Sequence, residues 1–452
     1  MWGLYFFLIT LPVLDDSTSP VTQIISGFYC ILQFPLIQYT QKHAKFCTVI
    51  TSKEDIVMFD FQLYTPTKVV FGKNTEAQVG NLVKEQNAKK VLIHYGSGSV
   101  IRSGLLDRVK ASLDAAGISY VELGGVVPNP RLSLVYQGID LAKAEGVDFV
   151  LAVGGGSAID SAKAIAYGVA EEGDVWDLYE HTRTATACLP VGVVLTLAAT
   201  GSEMSMGSVI TKEEGWVKRA YDDDLARPKF AIMNPELTMT LPSYQTSCGC
   251  TDIMMHTMER YFTSGGNMEI TDSIAEALLR TVVTNAKILM EKPMDYDARA
   301  EIMWAGSLAH NGVTGCGING GGDWSTHMLE HEMGGLYDVA HGAGLAAIWG
   351  SWARYVYKDC LHRFRRYAVN VMGVEAQGSD EEIALRGIEA TEAFFRSLNM
   401  PTSFAEMGIR PTEAEMKDMA RKCSAAAGGC QGSAKALYEA DMLAIYQMAA
   451  AR

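Results

Sequence analysis

No CxxC pair occurs among the nine cysteines, which are scattered at positions 30, 47, 188, 248, 250, 316, 360, 423 and 430. That pattern argues against a zinc ribbon or a disulfide framework and fits a reducing cytoplasm. Basic residues are not in excess either: 38 Lys and Arg stand against 52 Asp and Glu, a net charge of −14. An acidic chain without a basic stripe is a poor partner for nucleic acid or anionic membrane. No internal repeat or low-complexity tract occurs after residue 57, and 48% hydrophobic with 20% charged residues excludes extensive disorder. The chain of 452 residues is long enough for two or three domains around a large buried core.

Residues 1–57 lack the patterning found in the rest of the chain. Their apolar run, Trp2 to Leu14 broken at Thr10, has no basic residue ahead of it and is too short to span a bilayer comfortably. One reading is a weak signal peptide or anchor. The expectation adopted is a non-native or disordered extension, with Met58 as the natural start.

From Met58 to about residue 242, strand and helix signals alternate. MFDFQLYTP and TKVVFG read as strands, and a helix is expected over 74–86. KKVLIHYG, ISYVELGG, DFVLAV and PVGVVL are further strands, interleaved with helical runs over 104–116 and 133–145 and from Ser157 onward. Strand, glycine turn and helix in this order predict an α/β domain with a mainly parallel sheet, ending in the strand of RPKFAIMNPELTMTLP. After Pro242 the chain is a succession of helical runs, so 243–452 is expected to form an all-helical second domain.

Histidine is scarce, nine in all, yet four fall in two short runs. In GGGDWSTHMLEHEMGGLYDVAHGAG, His327 and His331 are four apart on one helix face, and His341 enters from the next element. Gly334 and Gly335 are expected to end the first helix. In CTDIMMHTMERYF, Asp252 and His256 also share a helix face. One carboxylate and three imidazoles suit Fe(II), Zn(II), Mn(II) or Co(II) and are too oxygen-poor for Mg or Ca.

Gly154-Gly155-Gly156-Ser157 comes after a buried strand and opens a helix, where free N–H groups favour phosphate. Ser157 and Asp160 are expected to form a capping box there. A second turn, Gly96-Ser97-Gly98-Ser99, lacks the last glycine of the GxGxxG fingerprint. Thr196, Thr200, Gly201, Ser202 and Glu203 could line a ligand groove.

Together, GGGSAIDSAK, LTLAATGSEMS followed by VIT, the Asp252-x3-His256 pair, and His327 with His341 resemble the iron-containing (group III) alcohol dehydrogenase family, in its butanol-dehydrogenase-like branch. The resemblance runs from about Met58 to the C-terminus. It implies a dinucleotide-binding α/β domain followed by a helical metal-binding domain, the fold shared with dehydroquinate synthase. It further implies Asp252, His256, His327 and His341 as metal ligands, with Fe2+ expected and Zn2+ the alternative. Cofactor contacts would come from Gly96, Ser97, Gly98, Ser99, Asn129, Gly154, Gly155, Gly156, Ser157, Asp160, Thr196, Thr200 and Ser202. His331 would be a catalytic proton relay rather than a ligand.

The implied activity is NAD(P)-dependent interconversion of short-chain alcohols and aldehydes, with a homodimer as the expected assembly. NADPH is favoured over NADH because the Gly96–Ser99 turn has no carboxylate to meet a ribose and Arg102 is near. The alternatives on the same fold are a dehydroquinate-synthase-like lyase, a glycerol-dehydrogenase-like enzyme and an inactive metal-binding scaffold. A lyase of that type needs several cations around a phosphorylated substrate, and the helices carrying Asp252 and His327 offer chiefly Arg260.

Overall fold

The structure is a computed structural model that describes residues 58–96, 98–266 and 268–452; the expectation for residues 1–57 and the cofactor contact assigned to Ser97 lie outside the described residues. The described residues form eight strands: β1 (Lys68–Phe71), β2 (Lys90–Gly96), β3 (Ser119–Val126), β4 (Phe149–Gly154), β5 (Val191–Leu195), β6 (Gly207–Lys212), β7 (Val217–Asp222) and β8 (Phe230–Met233). Six form one sheet in the order β3-β2-β4-β5-β8-β1, with every pairing parallel. The apolar runs FVLAVG and VGVVL are buried throughout, as strands covered on both faces must be.

Side chains alternate between the two faces. Val91, Ile93, Leu151 and Val153 pack under α1 (Val79–Glu85) and α2 (Leu105–Ala115). Leu92, Val150 and Ala152 pack under α3 (Leu132–Glu145) and α4 (Gly156–Ala170) on the opposite face. The chain leaves β2 toward β3 and returns across it to β4, so strand order reverses between β2 and β4. Ligands of open α/β sheets bind at the carboxyl ends flanking such a reversal. Here those ends carry the two glycine turns.

Two sequence readings are corrected in this half. MFDFQLYTP is not a strand: β1 starts only at Lys68, and Met58, Phe61, Leu63 and Tyr64 are exposed, with no neighbouring strand to pair with among the described residues. The region after residue 205 also holds an antiparallel hairpin, β6–β7, that the sequence reading did not resolve.

The helical half comprises α5 (Ser243–Tyr261), α6 (Glu269–Glu291), α7 (Tyr296–His310), α8 (Ser325–Tyr337), α9 (His341–Val356), α10 (Leu361–Asn370), α11 (Asp380–Ser397), α12 (Glu413–Ala426) and α13 (Glu439–Ala451). It has its own core, with Trp349, Trp352, Phe262, Phe364 and Tyr367 at the centre. α5 is buried almost along its length, which is why its polar residues are available for an enclosed site. α13 begins later than the run from Ser433 suggests. The backbone N–H groups of Ser433 and Ala434 instead donate to Asp323 Oδ2, each at 2.8 Å.

α8 does not stop at Gly334-Gly335 but runs on to Tyr337, where Asp338 takes the left-handed conformation with φ 49°. The glycines serve close approach. A Cβ on Gly335 would lie 2.6 Å from the Trp216 carbonyl oxygen, and one on Gly334 would lie 2.4 Å from Glu330 Oε1.

One buried titratable group sits in the sheet itself. His94 on β2 donates from Nδ1 to the Leu123 carbonyl at 2.9 Å, so Nε2 accepts from Ser161 Oγ at 2.8 Å. Burial lowers its pKa to about 4. The unfolded chain takes up this proton near pH 6.5 and the native state only near 4, so native stability is lost as pH falls through that window, by about 1.4 kcal/mol per pH unit. Urea unfolding of His94→Gln between pH 7 and 4.5 is expected to show a shallower loss; equal slopes in both proteins would remove His94 as its cause.

Candidate metal centre and cofactor cleft

Asp252 and His256 leave the middle of α5, His327 and His331 leave α8, and His341 is the first residue of α9. Three Nε2 atoms converge on Asp252 Oδ1: His256 at 3.3 Å, His327 at 3.6 Å and His341 at 3.6 Å. The potential ligand atoms of Asp252, His327 and His341 lie within 4.8 Å of one another. His256 stands beside this trio, its ring 4.5 Å from that of His327. His331 is one turn further along α8, with its ring 6.4 Å from His327 and 6.0 Å from His341.

Asp252 Oδ1, both ring nitrogens of His256 and Nε2 of His327 are buried without a hydrogen-bond partner. Unpaired buried polar atoms are costly, and one carboxylate oxygen with three imidazole nitrogens around one point is what a divalent transition ion accepts. The residues therefore fit a metal. Burial holds His256 and His331 well below the usual imidazole pKa, so both keep a lone pair. In His327 burial acts the same way, but the Glu259 and Asp252 carboxylates outweigh it and raise the pKa to about 9.

A carboxylate backs two of the histidines on the far side. His327 Nδ1 bonds Glu259 Oε2, and the His327 backbone N–H donates to Glu259 Oε1 at 3.0 Å. His341 Nδ1 bonds Glu330 Oε2 at 2.5 Å. Glu330 also takes Lys218 Nζ at 3.0 Å from the β6–β7 hairpin. Burial opposes the charge on Glu330, yet His341 and Lys218 pull its pKa well below the carboxylate range. Such partners fix the tautomer and plane of a ligating imidazole.

At the other side of the cleft, α4 begins at Gly156 with Gly155 as N-cap and no side-chain cap. The expected capping box of Ser157 and Asp160 is therefore not formed. Asp160 is engaged elsewhere: Ser202 Oγ donates to Oδ1 at 2.6 Å and the Val209 N–H to Oδ2 at 3.0 Å. Lys163, fully buried, donates to the Ser202, Ser205 and Gly207 carbonyls at 2.7–3.0 Å. Asp160 and Ser202 thus brace the loop after β5 against α4. The Thr196 N–H donates to the Gly154 carbonyl at 3.0 Å, and a Cβ on Gly156 would lie 2.4 Å from Thr200 Oγ1. Asn129, left-handed at φ 52°, donates to Asp338 Oδ1 at 3.1 Å and the Val339 carbonyl at 3.3 Å, just ahead of His341.

Comparison with known proteins decides the family. The model described as "Iron-containing alcohol dehydrogenase" matches residues 66–235, and its "Fe-containing alcohol dehydrogenase family, C-terminal" companion matches 246–450. The chain belongs to the iron-containing alcohol dehydrogenase family. It is 42% identical over 391 residues to NADH-dependent butanol dehydrogenase A of Clostridium acetobutylicum, covering 86% of this chain and 99% of that one. It is 35% identical to the NADPH-dependent aldehyde reductase of Escherichia coli, over 78% of this chain and 90% of that one. The crystal structure of NADH-dependent butanol dehydrogenase A from Thermotoga maritima superposes with a TM-score of 0.84 at 38% identity, covering 87% and 99% of the two chains. The two-part fold and the butanol-dehydrogenase-like branch expected from the sequence are those of this family.

The sequence reading missed Glu259, Glu330, Lys218 and His310. A faint signal existed for two: Glu259 and Glu330 each stand three residues after a helical histidine. Lys218 had none, because only the hairpin brings it to α8. Both oxygens of Glu259 are engaged by His327, one by Nδ1 and one by the backbone N–H. Glu259→Gln is expected to weaken metal affinity by roughly 10- to 100-fold, measured by chelator competition. Unchanged affinity would mean that His327 is oriented by packing alone.

Proposed function

We propose that this protein is a metal-dependent NAD(P)-linked alcohol dehydrogenase that reduces short-chain aldehydes, with Asp252, His256, His327 and His341 as the ligands. The observation that carries the reading is the convergence of three imidazole nitrogens on Asp252 Oδ1, with that oxygen and the His327 Nε2 lacking any other partner. When bound, a divalent cation supplies Lewis acidity at the substrate oxygen and nicotinamide supplies or accepts the hydride. Fe2+ is the proposed ion, on the family description; zinc accepts the same donors.

The chain's own task is positioning. The uncapped positive end of α4, at Gly154, Gly155, Gly156 and Ser157, receives the pyrophosphate. Gly96, Gly98 and Ser99 flank it from the turn after β2. Thr196, Thr200 and Asn129 line the way to the metal, while Asp160 and Ser202 brace that wall from behind. His331, buried and neutral, passes a proton between the alkoxide oxygen and solvent. The α/β domain is proposed to end at 242 and the helical one to begin at 243, in the gap between the two family matches.

NADPH is the proposed form. The β2 turn offers no carboxylate to a ribose, and a Cβ on Gly98 would lie 2.6 Å from Arg102 Nη1, so that guanidinium folds over the turn. The NADH-dependent relatives weigh against this. A higher kcat/KM with NADH than with NADPH would overturn it. Homodimerisation rests on the family resemblance and is tested by sedimentation, while a cytoplasmic location rests on the scattered cysteines without a CxxC pair. No helix among the described residues is long and apolar enough to cross a membrane.

The deciding experiment measures metal content and NADPH- and NADH-dependent butyraldehyde reduction on anaerobically purified protein. About one metal ion per chain, with turnover lost on chelation, is the expected result. Stoichiometric metal without reduction of any short aldehyde would move the reading to a lyase or scaffold. His327→Ala is expected to lose both metal and turnover. His331→Ala is expected to keep its metal and lose roughly 10²- to 10⁴-fold in rate. Metal loss from the His331 variant would show these two roles to be wrongly assigned.

A further inference from the structure

We infer that His310 is a positioning residue for the metal centre, holding the ring of His256 in its ligating plane by stacking; the inference rests on the ligand set proposed above. His327 and His341 each have Nδ1 tied to a carboxylate, Glu259 and Glu330. His256 has no such tie, since neither ring nitrogen has a hydrogen-bond partner among the described residues. The outer torsion of a histidine is broad and roughly two-fold, so a ring without a hydrogen bond must have its plane set by what it packs against.

Two flat walls supply that setting. The His310 ring lies 4.0 Å from His256 at an interplanar angle of 20°, and the His327 ring 4.5 Å away at 28°. Two rings at such separations cannot share one face, so His256 is sandwiched. Trp324 closes the side, 5.8 Å away and inclined at 62°.

His310 is itself fixed. It is the last residue of α7, and its Nδ1 donates to the Thr200 carbonyl at 2.6 Å. The loop bearing Thr200 is wedged against the same helix: a Cβ on Gly201 would lie 2.5 Å from the Gly306 carbonyl oxygen and 2.7 Å from His310 Cβ. The wall against His256 therefore cannot tilt without moving that loop.

The test separates ring from hydrogen bond. His310→Phe keeps a flat ring and loses the bond to Thr200. His310→Gln can keep the bond and loses the ring, and His310→Leu loses both. Apo protein is titrated with Co(II) against a chelator, and the visible absorption of the bound ion is recorded. Wild type and His310→Phe are expected to match in affinity and spectrum. His310→Gln and His310→Leu are expected to bind at least about 10-fold more weakly, with altered spectra. Equal affinity and identical spectra in all four proteins would overturn the inference. Weak binding by His310→Phe with retention by His310→Gln would also overturn it, by assigning the effect to the Thr200 bond. Should His310→Leu fail to fold, the Phe and Gln pair carries the comparison. A wild-type protein that takes up no Co(II) would instead overturn the ligand set on which the inference stands.

Discussion

Lone pairs aimed at one point repel one another, and the structure around Asp252 is arranged to hold them there. Burial leaves Asp252 Oδ1 and His327 Nε2 without protein partners, and a shared cation is a group that can satisfy them together. The cost of that arrangement is met from behind. Glu259 takes Nδ1 and the backbone N–H of His327, and Glu330 takes Nδ1 of His341 and the ammonium of Lys218. Removing one partner of such a buried set leaves an uncompensated charge, which is why these carboxylates occur as linked pairs and not as isolated groups.

Those partners come from separate parts of the chain. Asp252 and Glu259 are on α5, Glu330 is on α8, and Lys218 is on a hairpin that belongs to the α/β half. A second strap, Arg131 to Asp338 at 2.9 Å with Asn129 beside it, reaches the link between α8 and α9 just ahead of His341. The proposed metal ligands sit in the helical half, but one of them is positioned by contacts from the sheet half. Any movement of the α/β half that strains these straps is felt at His341, which at 23% side-chain exposure is the most open of the proposed ligands.

The parts legible in the sequence were those governed by local rules. Continuous apolar runs marked β2, β4 and β5, and helical spacing put Asp252 with His256 and His327 with His331. What failed was decided by distant contacts. Gly334 and Gly335 read as a helix stop, yet they lie inside α8 because the hairpin backbone and Glu330 approach too closely for a Cβ. MFDFQLYTP alternates like a strand, but no neighbouring strand among the described residues pairs with it. Asp160 fits a capping box by spacing and is taken instead by Ser202 and Val209. Lys218 and His310 were invisible for the same reason: their meaning lies wholly in which remote residue they meet.

The segment 197–201 shows how far such remote contacts reach. It passes through a slot whose walls are glycines from three helices and a turn. A Cβ on Gly249 of α5 would lie 2.3 Å from the Ala198 carbonyl oxygen, one on Gly155 would lie 3.0 Å from Leu197 Cβ, and one on Gly156 would lie 2.4 Å from Thr200 Oγ1. A Cβ on Gly306 of α7 would meet the Ala199 nitrogen at 3.8 Å, an ordinary contact. Within this slot Thr200 touches both parts of the proposed site, its hydroxyl against the first turn of α4 and its carbonyl bonded to His310. Overpacking a close-packed contact costs typically about 1–3 kcal/mol, so even a single added methyl at Gly156 displaces Thr200 or the turn. The glycines after β4 are therefore constrained twice, by the anion they can approach and by the loop they must admit. That second constraint links the proposed cofactor turn to the proposed metal centre through one residue.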